Sequence, residues 1–317
     1  MPKKNRAFVT GTDGFIGSHL AKFLQAKGWF VVGSYLTEVR SDLKADSVMH
    51  LVQCDLRNGQ RLSHLLREYQ PTHIFHLGAQ SLPTLSWADP VRTFESNIMG
   101  SLYLFEAMRQ MEKRPVVVSA CSSAEYGHVP PSAIPVKEDQ PFHPLHPYGI
   151  SKVCLDLLAR QYFLDYGIPA VNLRLFNTTG PGKTDDAPSD FVRQLVQIKK
   201  GKQAPVMEVG NLKPRRAFLD VRDTVNSFYL AALKGKRGES YNICATSTHE
   251  VEKMLRMAIR LAEVKVKISP VPRLMRPSDE KIIFGSTLKF RRDTGWRPVF
   301  SIEDTLKSML EYWEARL

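Results

Sequence analysis

Short apolar runs alternate with longer amphipathic segments through the first 176 residues of the chain. The apolar runs are rich in β-branched residues, which is typical of strands buried on both faces of a parallel sheet. Helical periodicity is clearest at residues 97–111 and 148–166. The alternation predicts an α/β fold with a doubly wound parallel sheet. The predicted strands are residues 7–10, 30–34, 49–53, 72–79, 116–119 and 170–175.

The composition of the chain changes after Phe176. Residues 178–188 are rich in Gly, Pro and Asp, which predicts a loop that leaves the sheet. We therefore expect two domains, the first formed by residues 1–176 plus about 218–246. The second is a smaller C-terminal α/β lobe, residues 177–217 plus 247–317, and Ser301 would cap its last helix.

A glycine-rich turn follows the first predicted strand and precedes an apolar helix. Glycine permits a tight turn and close approach of the backbone to a pyrophosphate, and a helix N-terminus presents N–H groups to an anion. The turn therefore predicts a Rossmann dinucleotide-binding site. The cofactor contacts expected in this turn are Gly11, Asp13, Gly14, Phe15, Ile16 and Gly17.

The end of the second predicted strand lacks the Asp or Glu that usually binds the ribose 2′-hydroxyl of NAD. Ser34 and Tyr35 stand there instead, and Glu38 and Arg40 follow. Because an Arg can neutralise the 2′-phosphate of NADP, we expect NADP(H) to be favoured over NAD(H). Asp55 either accepts a hydrogen bond from the adenine amine or caps a helix. The other expected cofactor contacts are Leu56, Leu77, Gly78, Ala79, Gln80 and Asn97.

Tyr148 and Lys152 carry the candidate chemistry. Pro147 favours the first turn of a helix, and residues four apart on a helix share one face, with Cβ atoms about 5–6 Å apart. An ammonium beside a phenol favours the phenolate and would lower a phenol pKa from about 10. Ser122 follows the apolar run 116–119, where open α/β sheets bind their ligands. The predicted catalytic residues are therefore Ser122, Tyr148 and Lys152, and the last two would also contact the cofactor. The structural alternative is an amphipathic helix with a surface Tyr and Lys.

The net charge of +12 raises the question of nucleic-acid binding. The Lys and Arg residues are dispersed, and no helix-turn-helix, zinc-knuckle or RRM signature is present, so we expect no nucleic-acid partner. A basic background suits small phosphorylated ligands instead. No apolar run approaches the roughly 20 residues that span a bilayer, and the N-terminus shows no signal-peptide core. The four cysteines are scattered without metal-ligand spacing, which predicts reduced thiols, no metal and a cytoplasmic protein.

Together these residues resemble the extended branch of the short-chain dehydrogenase/reductase superfamily. The resemblance implies that Tyr148 is the acid/base, that Lys152 binds the nicotinamide ribose and lowers the Tyr148 pKa, and that Ser122 hydrogen-bonds the reacting sugar oxygen. Members of this branch mostly act on nucleotide sugars, so the second lobe would bind a nucleotide sugar. The motifs that carry the resemblance are Thr10-Gly11-x-x-Gly14-x-x-Gly17, the Ser122 segment, Tyr148-x-x-x-Lys152, Phe176-Asn177 and Gly295-Trp296-x-Pro298.

A narrower resemblance is to the GDP-mannose 4,6-dehydratase and GDP-4-keto-6-deoxy-D-mannose reductase group. It implies a GDP-sugar substrate whose nucleotide contacts Arg216 and Arg276. Two positions depart from the group, because Asp279 replaces a usual Glu and Ala217 replaces the Asp that usually follows the Arg. The segments that carry this resemblance are Ala79-Gln80-Ser81, Ser86-Trp87, Val209-Gly210-Asn211-Leu212 and Arg276-Pro277-Ser278-Asp279. The expected substrate contacts are Ser81, Ser123, Glu125, Asn177, Phe191, Arg216, Arg276 and Asp279.

Ala124 is the departure that bears on the reaction. The dehydratases of this group have a Glu here that moves the proton in water elimination, and a methyl group cannot do so. The resemblance then implies an NADPH-dependent reductase of a 4-keto-6-deoxy nucleotide sugar, converting GDP-4-keto-6-deoxy-D-mannose to GDP-D-rhamnose. Glu125 is one residue away, and only an irregular loop would bring its carboxylate to the same place. The alternatives are a nucleotide-sugar 4-epimerase that retains NAD, a GDP-mannose 4,6-dehydratase, and a non-catalytic NADP-binding protein.

The two predicted helices 97–111 and 148–166 also bear on assembly. Apolar residues cover more than one stripe of the first helix. One stripe would pack on the sheet, and another is available for a helix-pair interface in a homodimer. Burial of both helices against the sheet alone is the alternative.

Overall fold

A central parallel sheet organises the computed structural model, which describes residues 5–275 and 282–317. The α/β class and the doubly wound sheet predicted from the sequence are confirmed. The strands, in chain order, are β1 Arg6–Thr10, β2 Phe30–Tyr35, β3 Met49–Gln53, β4 His73–His76, β5 Val116–Ser122, β6 Ala170–Leu175, β7 Thr178–Thr179, β8 Val206–Val209, β9 Arg215–Arg216, β10 Leu219–Asp220, β11 Ser240–Ile243, β12 His249–Glu250, β13 Lys267–Pro270 and β14 Ile282–Ile283.

Helices connect these strands. A π-helical turn, Glu95–Met99, directly precedes the helix that begins at Gly100. A 3₁₀ turn, Ser123–Glu125, directly follows β5. Two further 3₁₀ turns are Pro131–Ala133 and Pro272–Leu274. The α-helices are α1 Phe15–Ala26, α2 Gly59–Tyr69, α3 Pro83–Ala88, α4 Pro90–Phe94, α5 Gly100–Arg109, α6 Pro147–Tyr166, α7 Ala187–Lys199, α8 Val221–Lys234, α9 Val251–Ala262, α10 Leu288–Thr294 and α11 Ile302–Glu314.

The seven-stranded sheet has the order β11-β6-β5-β4-β1-β2-β3, and all of its strand pairs are parallel. The strand order therefore reverses between β1 and β4, which is the switch point where doubly wound sheets bind their ligands. The glycine turn follows β1 at this point. The sheet topology thus places the predicted dinucleotide site at the carboxyl ends of the strands.

Strand β5 extends three residues beyond the end predicted from the sequence. Its Ser119 lies opposite His76, the last residue of β4, and its Ser122 still pairs with Leu175 of β6. Strand β5 therefore extends beyond the end of β4 but stays paired with β6 as far as Ser122. Ser122 is thus held by a strand rather than by a loop.

The described chain divides into two compact units. The first comprises Met1–Leu175, Val225–Ile243 and Ser286–Trp296, and the second comprises Phe176–Thr224, Cys244–Gly285 and Arg297–Leu317. These boundaries differ from the expected ones chiefly at residues 218–224, which belong to the second unit, and at 286–296, which belong to the first.

Each unit has its own hydrophobic core. In the first unit, helices α2, α5 and α6 cover the sheet with buried residues such as Leu62, Phe105 and Leu155. In the second unit, α7, α9 and α11 pack together through residues such as Leu195 and Leu306. The Ser301 cap predicted for the last helix is confirmed, since its side chain accepts from Asp304 N. Within the described residues, no helix combines the length and the apolar content that crossing a bilayer requires.

Candidate active site

The glycine turn has the tight geometry that its sequence predicts. Gly11 has a positive φ of 72°, and a Cβ there would lie 2.8 Å from the Cα atom of Gly78 on the adjacent strand end. A Cβ on Gly17 would lie 2.0 Å from the carbonyl oxygen of Gly11. Gly14 precedes α1, and no side chain among the described residues caps this helix start. Side chains at these glycines would therefore displace the backbone, and the α1 N-terminus is available to an anion.

Asp13 ties the glycine turn to the segment after β2. Its carboxylate accepts a hydrogen bond of 3.0 Å from the backbone N–H of Leu36. The neighbouring Thr12 bonds to the carbonyl oxygen of Ser34 through both its backbone N–H and its hydroxyl, each at 2.9 Å. Asp13 therefore fixes the position of the chain that would face an adenosine ribose; its direct contact with a cofactor stays a prediction.

Arg40 is already paired in this structure. Its Nε lies 3.2 Å from Asp42 Oδ1, and Lys22 of α1 binds the other oxygen of the same carboxylate at 2.8 Å. Burial tends to raise the Asp42 pKa, but the two cations outweigh it and lower the pKa below 3.8. A 2′-phosphate would have to compete with Asp42 for the Arg40 guanidinium, so the role predicted for Arg40 stays a prediction.

Asp55 is not a helix cap. Asn58 caps α2, and the Asp55 carboxylate instead accepts from Arg57, with an Nη2–Oδ2 distance of 2.7 Å. This hydrogen bond lowers the Asp55 pKa. Leu56 is buried, and a Cβ added to Gly78 would lie 2.9 Å from its side chain. The helix-cap alternative for Asp55 is thus wrong. The Leu56 side chain packs against the backbone at Gly78.

Asn97 links the strand end at residues 77–80 to the helix that carries Tyr148. Its side chain accepts from Gln80 N at 2.8 Å, donates to Gln80 O at 2.9 Å, and donates to Ser151 Oγ of α6 at 3.0 Å. Thr10 Oγ1 accepts from the N–H groups of both residues that begin this segment, Leu77 at 3.0 Å and Gly78 at 2.8 Å. The hydrogen bonds of Asn97 therefore position the backbone of Gln80. The cofactor contacts expected of residues 77–80 and of Asn97 stay predictions.

Ser122, Tyr148 and Lys152 lie together at the carboxyl ends of the strands. The Ser122 side chain is near enough to the Tyr148 phenol to lower its pKa. Lys152 is buried, donates to the carbonyl oxygen of Ala120 at 2.8 Å, and places Nζ 5.8 Å from the centre of the Tyr148 ring. Gly149 allows this closeness, because a Cβ there would lie 2.8 Å from the Ala124 carbonyl oxygen.

The electrostatics of this trio differ from those expected from the sequence. Burial raises the pKa of Tyr148 to about 12, and the nearby Ser122 side chain only partly opposes this rise. Burial also lowers the pKa of Lys152, whose ammonium is directed at Ala120 O rather than at the phenol oxygen. The phenol is therefore protonated at neutral pH, which is the state a general acid requires.

Glu125 was expected to contact the substrate, but the structure buries it. Its side chain is completely buried, because the 3₁₀ turn after β5 directs the carboxylate inward, where Oε1 accepts from Ser122 N at 2.7 Å. A substrate at the surface cannot reach it. The spacing Ser122-x-x-Glu125 is that of a capping box, a signal in the sequence that would have predicted this inward bond.

The other expected substrate residues have mixed outcomes. Ser81 is exposed and Ser123 is partly buried. In the second unit, the amide nitrogen of Asn177 is buried and has no hydrogen-bond partner among the described residues, and Arg216 lies on β9. Phe191 was also expected to contact the substrate, but α7 buries it in the core of the second unit. The remaining two, Arg276 and Asp279, lie outside the described residues.

Fold and site together define a class of protein. A Rossmann sheet with a glycine turn at its switch point, and a Ser, Tyr and Lys trio beside it, is the arrangement of NAD(P)-dependent enzymes of the extended short-chain dehydrogenase/reductase type. The chain belongs to the GDP-mannose 4,6 dehydratase family, whose model matches residues 8–309. The resemblance recognised from the sequence is thereby confirmed.

Individual relatives extend this assignment. The chain is 30% identical to the GDP-6-deoxy-D-mannose reductase of Pseudomonas aeruginosa over 313 residues, which cover 98% of both chains. Its structure is similar to that of RMD from Pseudomonas aeruginosa complexed with NADPH, with a TM-score of 0.87 and 29% identity over 99% of this chain and 100% of that chain. It is also similar to the UDP-glucose 4-epimerase of Thermus thermophilus in complex with NAD, with a TM-score of 0.86 and 28% identity over 98% of this chain and 100% of that one. The chain is therefore a nucleotide-sugar reductase, dehydratase or epimerase.

Proposed function

We propose that the protein is an NADPH-dependent reductase of a 4-keto-6-deoxy nucleotide sugar, which converts GDP-4-keto-6-deoxy-D-mannose to GDP-D-rhamnose. One observation carries the choice of reaction. Position 124, where a dehydratase needs its eliminating Glu, is Ala, and the neighbouring Glu125 carboxylate is buried beneath Ser122. The similarity to a GDP-6-deoxy-D-mannose reductase supports the substrate.

The residues of the trio have distinct roles in this reduction. Bound NADPH would supply the hydride that reduces C4 of the sugar. Tyr148 gives its hydroxyl proton to the developing alkoxide, and Ser122 donates a hydrogen bond to the same oxygen. Lys152, whose Nζ lies 5.8 Å from the centre of the Tyr148 ring, would stabilise the phenolate that forms through its positive charge. The protonated resting state of Tyr148 suits reduction, which consumes one proton per turnover.

The cofactor proposed for this reaction is NADPH. The residues at the end of β2 support it, because neither Ser34 nor Tyr35 can bind a ribose 2′-hydroxyl as a carboxylate does. The similar structure of RMD is complexed with NADPH, whereas that of the Thermus thermophilus epimerase holds NAD. The ratio of kcat/KM for NADPH and NADH tests this proposal directly.

A 4-epimerase that retains NAD is the second candidate. It is favoured by the similarity to the Thermus thermophilus UDP-glucose 4-epimerase over nearly the whole chain. An epimerase oxidises and re-reduces its substrate, so it consumes no external cofactor. The stoichiometry of NADPH consumption therefore separates the two reactions.

The proposed partner is a second copy of this chain. On α6, Ile150, Leu157 and Leu164 recur every seven residues and are exposed, Leu157 by 53% and Leu164 by 63%. Trp87 and Val91, on the neighbouring helices α3 and α4, are each 66% exposed. A seven-residue apolar stripe matches the packing of one helix pair on another. Sedimentation of wild-type protein against Leu157→Glu tests this interface; a monomeric wild type would exclude it.

The decisive experiment is a turnover assay with a panel of keto sugars. Purified protein is incubated with NADPH and the GDP-, UDP- and dTDP-linked 4-keto-6-deoxyhexoses, while the absorbance of NADPH and product NMR spectra are followed. We expect one NADPH consumed per GDP-linked sugar and a product reduced at C4. Parallel incubations with GDP-mannose and UDP-glucose test the rival reactions. Interconversion of C4 epimers without NADPH loss, or water elimination from GDP-mannose, would overturn the proposal.

A further inference from the structure

A buried cluster of charged and polar groups lies directly behind the Ser122 segment. Its members are Glu125 and Arg174, which are 0% and 6% exposed, and Asp156, which is 3% exposed. Asp156 lies on α6, one turn after Lys152, and Arg174 lies on β6 beside the end of β5. The cluster therefore connects the two elements that carry the catalytic trio.

Arg174 supplies the positive charge of this cluster. Its Nε and Nη2 lie 2.9 and 3.2 Å from the two oxygens of Asp156, and Nε is 3.3 Å from Glu125 Oε2. The ligand atoms of Cys121, Glu125 and Asp156 lie within 4.8 Å of one another. Because the guanidinium already fills the cationic role there, the cluster is not a metal site.

The bond between Glu125 and Ser122 is the link from the cluster to the reacting groups. Glu125 Oε1 accepts from Ser122 N at 2.7 Å, and the Ser122 hydroxyl in turn accepts from Ala124 N at 3.2 Å. The Ser122 side chain also lowers the Tyr148 pKa, so it lies close to the phenol. The Glu125 carboxyl group therefore holds the Ser122 backbone from the interior, and the Ser122 side chain lies near Tyr148.

We propose that Glu125 is a positioning residue of the reductase: by accepting the Ser122 N–H while it is seated against Arg174, it holds the Ser122 hydroxyl at the position where it meets both the Tyr148 phenol and the sugar oxygen. This inference rests on the proposed function, since it assigns Glu125 a role in the same proton transfer. A misplacement of about 1 Å is enough to slow an enzyme by about 100-fold.

The charge of Glu125 is not what this role requires. Burial, followed by the nearby Asp156 carboxylate, raises the Glu125 pKa well above 4.5, which favours the neutral acid. A neutral acid and an amide both offer a carbonyl oxygen to the Ser122 N–H. Glutamine should therefore replace Glu125 in function, whereas leucine, which has a similar size and no acceptor, should not.

The test compares Glu125→Leu and Glu125→Gln with the matched control Tyr126→Phe. Tyr126 belongs to the same buried network, but its hydroxyl donates to Asn242 at 2.7 Å and accepts from Arg174 at 2.9 Å, and neither partner belongs to the catalytic trio. For each protein, kcat, KM for NADPH and the melting temperature are measured. The deuterium isotope effect is measured with NADPH labelled at the transferred hydrogen.

We expect Glu125→Leu to lose about 10- to 100-fold in kcat with KM for NADPH unchanged, and to express a larger isotope effect because hydride transfer becomes slower. Glu125→Gln should recover most of the rate. Tyr126→Phe should melt at a lower temperature and keep its kcat within about twofold.

Two results would overturn the proposal: a Glu125→Leu rate equal to that of the wild type, or a loss in Glu125→Gln as large as in Glu125→Leu. A fall in kcat that Tyr126→Phe shares in proportion to its melting temperature would also reduce Glu125 to a stability role. Failure of the proposed function shows separately, in the wild-type chain, as the absence of NADPH-dependent turnover. The comparison of variants uses whichever nucleotide sugar the wild type converts.

Discussion

The Lys152 ammonium donates a 2.8 Å hydrogen bond to the carbonyl oxygen of Ala120, two residues before Ser122 on β5. This bond joins α6 to β5 beneath the reacting groups, so Lys152 fixes geometry as well as supplying charge. Its burial lowers the Lys152 pKa, which means that the fold makes the charged form costly. A buried Lys with a lowered pKa in such a cluster indicates a functional rather than a stabilising role.

Lys152→Met should separate these two effects. The variant keeps most of the length of the side chain and removes the buried charge, so we expect no fall in melting temperature. We expect kcat to fall by about 100-fold or more, because the phenolate and the alkoxide lose their neighbouring cation. Calorimetry and initial rates measure both quantities. A strongly destabilised protein would show instead that the Ala120 bond holds the fold.

Tyr148→Phe should abolish turnover and leave NADPH affinity within about twofold of the wild type. Removal of a general acid costs about 100- to 10,000-fold. The wild-type rate of reduction should also stay level between about pH 7 and 9, since the acid must be protonated and burial raises the Tyr148 pKa to about 12. Rate measurements and fluorescence titration with NADPH check these outcomes. A fall in rate through neutral pH would assign the proton to another group.

Gly149→Ala should disturb the contact between α6 and the turn after β5. The added Cβ would lie 2.8 Å from Ala124 O and 3.0 Å from Pro144 Cβ, so the helix must move. We expect a loss of about 1–3 kcal/mol in the free energy of unfolding, as overpacked sites show, together with at least a roughly tenfold lower kcat. Gln161→Ala, a change at an exposed position of the same helix, is the control. Equal behaviour of the two variants would contradict the tight fit of Gly149.

The sequence predicted those parts of the site that local patterns specify. The spacing of Tyr148 and Lys152 predicted that they share one helix face. The spacing of the glycines predicted a tight turn between β1 and α1. The pairing of β11 with β6 was not predicted, because it joins distant segments, as from Asn172 to Ser240, through a strand of only 4 residues. Such pairing depends on tertiary contacts rather than on local propensity.

Burial explains the other differences between the site predicted from the sequence and the site found in the structure. Tyr148 and Lys152 have the predicted spacing, but the Tyr148 pKa depends on how much water the fold removes, which a spacing cannot reveal. Glu125 was expected at the substrate from the family resemblance, which carries no information on its burial. The structure buries it with Arg174, a partner distant in the chain that only the sheet brings near.

Arg40→Ala should test the cofactor preference. If Arg40 leaves Asp42 to bind the 2′-phosphate, the variant should raise KM for NADPH by about tenfold and leave KM for NADH unchanged. NADH serves as the internal control, since it lacks that phosphate. Equal effects on both cofactors would show that the Asp42 pair only maintains the loop, and would leave the preference to other residues near β2.

His76 should make the stability of the protein depend on pH. It is buried between Thr10 Oγ1, at 3.0 Å from Nδ1, and Ser101 Oγ, at 2.9 Å from Nε2. Burial, followed by the charge of Lys152, lowers the His76 pKa from 6.5 to about 3. Because the unfolded chain binds the proton more readily, this contribution to stability is complete above about pH 6.5 and is lost as the pH falls toward about 3. The full shift corresponds to about 2–5 kcal/mol.

His76→Gln removes this titration and keeps an amide that can bond to both hydroxyls. We expect the variant to be less stable than the wild type at about pH 7.5, and the difference to shrink as the pH is lowered to about 4.5, because only the wild type loses stability through His76. Urea unfolding at several pH values measures both slopes. Parallel slopes for the two proteins would show that His76 does not titrate between the folded and unfolded states, and that carboxyl groups alone set the acid limit of the fold.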